Sequence, residues 1–115
     1  MNEIKRVLIH IRWPLQFFTL LGFLFGMVVS RIDLSADLIL GFISWFFLCS
    51  AIAVFNSYYD KDEKPVAGLE SPPAAAFSML IGAWLLKLSG FIIALFLNKM
   101  FLTIYIAGVV LSVLY

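Results

Sequence analysis

The chain has 115 residues, 63% of them hydrophobic and only 13% charged, with a formal net charge of +1 and a mean hydropathy of +1.05. A soluble domain carries about 45–50% apolar and about 25% charged residues, so no soluble fold of this size could hide so much apolar surface, and lipid is the expected solvent. The near-neutral balance carries no signal for nucleic acid, and one cysteine, Cys49, without Cys/His spacing excludes an internal disulfide and a zinc cluster.

Residues 2–12 are mixed. Ile4, Val7, Leu8 and Ile11 fall on one helical face, while Glu3, Lys5, Arg6, His10 and Arg12 take other positions. That pattern predicts a short helix lying in the interface, with His10 an interfacial polar residue rather than a ligand. No small-residue cleavage site follows, so the segment is not a signal peptide. The first span is predicted over 14–30: Pro14 fits a first helical turn and Trp13 the headgroup level. Gly22 and Gly26 form a small-xxx-small face suited to close helix approach.

Arg31, Asp33 and Asp37 mark a turn. The second span runs over 38–59, long enough for a hydrocarbon core of about 30 Å at about 1.5 Å per residue. Cys49 lies within it and reads as a small packing residue. A polar loop follows over 60–73, and its Pro65, Gly68, Pro72 and Pro73 cannot continue a helix. The third span is expected over 74–97, and Asn98-Lys99 turns the chain into a fourth over 100–115. Sixteen residues reach only about 24 Å as a helix, which points to the chain being the N-terminal part of a longer protein.

The fold expected is therefore an all-α integral membrane bundle of several passes. Residues 1–13 form a cytoplasmic or interfacial segment and 14–115 a partial transmembrane domain. Lys5, Arg6, Arg12, Lys61 and Lys64 fall on one side of it, and Arg31 and Lys99 on the other. The positive-inside rule then puts the N-terminus and the acidic loop in the cytoplasm, in a multi-pass protein of the cell membrane.

The chemistry concentrates where the second span ends. Four of the seven acidic residues lie between Asp60 and Glu70, directly after Asn56-Ser57-Tyr58-Tyr59. Asn56 and Asp60 are four apart and share a helix face; Glu63 would extend that face, and Asp62 is displaced from it. Lys64 precedes Pro65, which predicts a helix end near Glu63. An amide one turn inside an apolar run needs a partner. Asn and carboxylate oxygens are hard ligands that suit Mg²⁺ shared with substrate phosphates. The cation would neutralise a diphosphate and help it leave, with an isoprenoid tail between the apolar helices. Taken one at a time, Asp62, Glu63 and Glu70 also read as plain solvated anchors.

With Asn56 and Asp60 at this place and spacing, the chain resembles the UbiA family of intramembrane aromatic prenyltransferases. Asn56-Ser57-Tyr58-Tyr59-Asp60 is similar to its first acidic motif at the cytoplasmic end of the second helix. The ending Gly68-Leu69-Glu70-Ser71-Pro72-Pro73 looks like a branch of the family, and Arg12-Trp13-Pro14 resembles its Arg/Pro start of the first helix. The resemblance implies about nine helices, of which this chain would supply about four, and a second acidic motif in later ones. It implies Mg²⁺-dependent transfer of a prenyl group from a prenyl diphosphate to an aromatic or other electron-rich lipophilic acceptor, within membrane lipid. Asn56, Asp60 and Lys61 would meet the substrate, and Asn56, Asp60, Asp62 and Glu63 would hold the metal. No residue of this half would be catalytic. Where many members carry another Asp, four places after the motif's Asp, this chain has Lys64, leaving Asp62 or Glu63 to substitute. The other class compatible with the residues is a small non-enzymatic four-helix membrane protein that binds a cation, a lipid or a partner subunit.

Lys87, near the middle of the third span, stands apart. A lysine at a helix centre costs about 2.5–3.5 kcal/mol on insertion scales. A partner carboxylate or a cavity would explain it functionally. The favoured expectation is a shifted span with the side chain snorkelling to the interface. The many phenylalanines, Phe17 to Phe55, could line a prenyl groove but read mostly as packing or lipid contact.

Overall fold

The computed structural model describes residues 1–61, 64–65 and 69–115. Five helices form among them: α1 (Glu3–His10), α2 (Trp13–Val29), α3 (Ala36–Asp60), α4 (Phe77–Ala94) and α5 (Lys99–Leu114). The bundle measures 42 × 25 × 23 Å. Its long dimension matches a bilayer of about 40–45 Å including headgroups.

Length and apolarity qualify α3 and α4 to cross a membrane. α1 and α2, bent by 49° at their junction, qualify as one further span, and α5 is a shorter apolar helix. The expected four passes thus reduce to two, or three with the bent pair. The expected third span, 74–97, contains a helix three residues shorter at each end, because Ala76 is extended and Leu95 closes the last turn.

Local chemistry sets the ends. Asn2 Oδ1 accepts from the Ile4 N–H at 3.0 Å, Ser35 Oγ from Leu38 at 3.2 Å and Asn98 Oδ1 from Phe101 at 2.8 Å. Each satisfies an amide that the helix itself leaves unpaired. Arg12, Arg31 and Lys61 take left-handed conformations, with φ of 58°, 51° and 49°. They break the chain after α1, α2 and α3. Pro14 in the first turn of α2 starts the next helix immediately after the Arg12 bend.

α3 is the central helix, and α4 runs back along it in the most extensive pairing of the bundle. Two interhelical hydrogen bonds pin the middle. Ser44 Oγ donates to the Gly90 carbonyl at 2.8 Å, and the Tyr105 hydroxyl donates to the Lys87 carbonyl at 2.7 Å. Gly90 is required there. A Cβ would stand 2.9 Å from the Ser44 carbonyl oxygen and would collide with the Tyr105 hydroxyl. Leu48, Ala94 and Tyr105 form one core cluster; Ile11, Val54, Phe55, Met79 and Ala83 form a second.

α1 does not simply lie in the interface. It packs on α4 and α3, with Val7 against Gly82, Ile11 and His10 buried, and Ile4 and Leu8 exposed. Its Glu3 carboxylate accepts from Ser78 of α4 and pairs with Arg6 at 2.6 Å. The Ser78 hydroxyl, and then the Arg6 charge, hold the Glu3 carboxyl below its ordinary range. Gly22 and Gly26 of α2 meet nothing: a Cβ at either would have open space. Their small-residue face packs on no described element of this chain.

Candidate functional site

The C-terminal end of α3 gathers the polar groups. Asn56, half-buried, and Asp60, exposed, stand one turn apart and line a single cavity of about 350 Å³. Phe55 and Tyr59 complete its α3 wall, with ring centroids 4.8 Å apart, and Ser112 to Tyr115 close it from α5. The shared face expected from the four-residue spacing is therefore present, and it opens on an apolar cleft between two helices.

The helix ends sooner than expected. Lys61 caps α3 in the left-handed region, so no helix continues the Asn56/Asp60 face toward Glu63. α3 thus ends at Asp60, the last residue of the motif, rather than near Glu63. Lys61 is exposed and is not among the residues that line the cavity. Asp62 and Glu63, the other two expected metal ligands, lie outside the described residues. Among the described residues no group of three His, Cys, Asp or Glu side chains is placed to hold a metal. Asn56 and Asp60 alone offer one amide oxygen and one carboxylate.

That donor pair fits Mg²⁺ in its chemistry. The ion is usually held by one or two carboxylates and completes its shell with waters and substrate phosphates.

Two further residues stand beside this end. Arg12 is buried, and its Nη2 donates to Ser57 Oγ at 2.8 Å. Ser57 sits inside the Asn56–Asp60 segment and is completely buried. One residue along a helix is about 100° around it, so Arg12 braces α3 on the flank of the Asn56/Asp60 face. His10 is 1% exposed, and its Nε2 lies 3.0 Å from the Pro73 carbonyl. It ties α1 to the segment that leads into α4. The proximity of Arg12 to Pro14 was visible; the left-handed bend that turns Arg12 inward was not, because non-glycine residues seldom adopt it.

Lys87 does not snorkel. It is 2% exposed, and its Nζ stands over the Phe55 ring at 4.0 Å and the Trp84 ring at 4.7 Å. Packing of α4 against α3 covers the ammonium before its stem can reach an interface. Cys49 is half-buried in α3.

The architecture defines a class: an all-helical bundle, among the described residues, with two or three helical segments long and apolar enough for a membrane and a cleft at the end of α3 that Asn56 and Asp60 line. The chain matches no family model, no curated protein and no solved structure.

Proposed function

We propose that this chain is the N-terminal part of a membrane prenyltransferase of the UbiA type, with about nine helices in the complete protein. The observation that supports it is the joint placement of Asn56 and Asp60 on one wall of an apolar cleft at the mouth of α3. In this reading the Asn56 carbonyl oxygen and the Asp60 carboxylate hold Mg²⁺. Bound there, the ion would neutralise the diphosphate of a prenyl donor and stabilise it as leaving group.

The chain's own residues do the rest of what this half contributes. Arg12 and Ser57 fix the rotation of α3 about its axis and hence the direction in which Asn56 and Asp60 face. Phe55 and Tyr59 present apolar ring surface next to the two oxygen ligands, suited to the first carbons of a prenyl tail. The acceptor and the second acidic motif belong to the remaining helices. The five-against-two distribution of Lys and Arg orients the α3 mouth toward the cytoplasm of the cell membrane.

The test is turnover against Mg²⁺ concentration in the complete parent protein, with membrane insertion monitored. Asn56→Ala and Asp60→Ala should each abolish most activity and raise the Mg²⁺ requirement. Wild-type activity with unchanged Mg²⁺ dependence in Asp60→Ala would falsify the metal site. Orientation is read by placing a single thiol, Lys64→Cys in a Cys49→Ser background. Labelling restricted to the outer face would reverse the topology.

A further inference from the structure

Lys87 is linked to both walls of the Asn56/Asp60 cleft, each through a different part of the residue. Its side chain meets the α3 wall. Nζ stands 4.0 Å from the centre of the Phe55 ring and 4.7 Å from that of Trp84, inside the range of about 6 Å over which a cation is drawn to a ring face. Trp84 in turn meets Phe55 edge-on, at 90° and 6.3 Å between centroids. The Phe55 ring is therefore held from α4 by an ammonium and an indole together. It also packs against Tyr59 at 4.8 Å, and both rings line the cleft.

The main chain of Lys87 meets α5. Its carbonyl accepts from the hydroxyl of the fully buried Tyr105 at 2.7 Å. Ser112, where α5 starts to line the cleft, is two helical turns further on, about 10.5 Å along the axis. Packing by itself does not require a lysine at this place. Methionine fills a similar volume without burying an ion, and exchange of buried ions for apolar groups is often neutral or stabilising. Among the described residues Nζ makes no hydrogen bond, and its charge acts on the two rings.

We propose that Lys87 is a positioning residue for this cleft: its ammonium fixes the Phe55 ring of one wall, its carbonyl fixes the α5 helix of the other, and together they set the width of the opening beside Asn56 and Asp60. The inference deepens the prenyltransferase reading and rests on it for the use to which the cleft is put. Wall geometry is measured without metal, substrate or turnover. The positioning role can therefore fail while the Mg²⁺ site stands, and the reverse.

The experiment uses the intact chain in phosphatidylcholine nanodiscs. A 3-fluorophenylalanine at position 55 reports ring flipping by ¹⁹F NMR, with two signals when flipping is slow and one when it is fast. Nitroxides on Lys61→Cys and Tyr115→Cys, in a Cys49→Ser background, report the separation of the walls. Lys87→Met should speed ring flipping about tenfold through loss of the ammonium, with thermal stability equal to or above that of the wild type. Lys87→Arg keeps a cation over the ring and should restore the slow rate. A 3,4,5-trifluorophenylalanine at position 55 weakens the same contact from the ring side with Lys87 intact, and should speed flipping likewise. Tyr105→Phe cuts only the carbonyl link. It should broaden the nitroxide separation and leave ring flipping as it is. Unchanged flipping in Lys87→Met or with the trifluorinated ring would show that packing alone holds Phe55, and would overturn the proposal. Fast flipping in Lys87→Arg would assign the effect to side-chain shape rather than charge, with the same consequence. A nitroxide separation that neither Lys87→Met nor Tyr105→Phe alters would make the width of the cleft independent of Lys87, and would also overturn it.

Discussion

α2 is, residue for residue, more apolar than α3, yet α3 buries nine residues and α2 only Gln16. The difference lies in size and polarity. Six of the nine buried residues of α3 are Gly, Ala or Ser. In lipid, greasiness does not drive one helix against another, since acyl chains are as apolar as leucine; close backbone approach and interhelical hydrogen bonds do. α3 supplies both, through Gly41 and Ala51 on one account and Ser44 and Ser57 on the other. α2 turns Phe17, Phe18, Leu21 and Phe25 outward and touches α3 mainly through rings, Trp13 on Phe46 at 5.8 Å and Phe23 on Phe42 at 5.4 Å.

The same contrast separates two pairs of glycines. Gly90 carries the α3–α4 crossing, and Gly22 and Gly26 carry nothing within the described chain. Gly90→Val should therefore produce the largest effect. Its branched side chain has no space against the Ser44 carbonyl and Tyr105, and overpacking of this kind costs about 1–3 kcal/mol or more. Steric-trap or denaturant unfolding in bicelles measures it. A neutral outcome would mean that α4 slides on α3 freely, and the central position of α3 would be lost with it.

Ser57→Ala comes next. It removes the hydroxyl that accepts from the Arg12 guanidinium, and hydrogen bonds to charged groups are worth about 1.5–3 kcal/mol. Loss should appear as faster hydrogen exchange at the α1–α2 junction and the end of α3, with the bundle centre unaffected. Uniform loosening would show that the junction and the centre are one cooperative unit. Tyr105→Phe is a smaller change, about 0.6 kcal/mol by the average of interhelical bonds in membranes, because the Lys87 carbonyl keeps its place in the α4 ladder.

Glu3 gives a pH-dependent effect smaller still. Its folded carboxyl titrates below the ordinary 4.5, chiefly because Ser78 donates to it. A depressed carboxylate contributes stability that is complete above the unfolded value and lost as pH falls through the folded one. Amide protection in α1, taken relative to the intrinsic exchange rate at each pH, should hence be constant above about pH 6 and fall on acidification below the ordinary carboxylate range, where protonation weakens the link to Ser78. Glu3→Gln should flatten that profile. A profile unchanged in Glu3→Gln would assign the acid sensitivity elsewhere.

Gly22→Ala and Gly26→Ala close the series near zero, within about 0.5 kcal/mol, since an alanine has room and a better helix propensity at both positions. A loss of more than that would reveal an element that packs on α2.

Much was settled by pattern alone. The 63% apolar composition makes lipid the expected solvent, and Asn98-Lys99 and the Pro72-Pro73 pair mark where helices turn or cannot run, because turn and proline chemistry are local. The four-residue spacing of Asn56 and Asp60 already put them on one face, since helix geometry is the same everywhere. Other features needed the third dimension. The left-handed turns at Arg12 and Lys61 decide that Arg12 reaches Ser57 and that α3 stops at Asp60, and no local propensity selects them in non-glycine residues. Whether Lys87 snorkels depends on what lies over it, and only the α3–α4 crossing places Phe55 and Trp84 there. A sequence states which groups a helix displays; the partner helix, set by packing over the whole bundle, decides which of them meet.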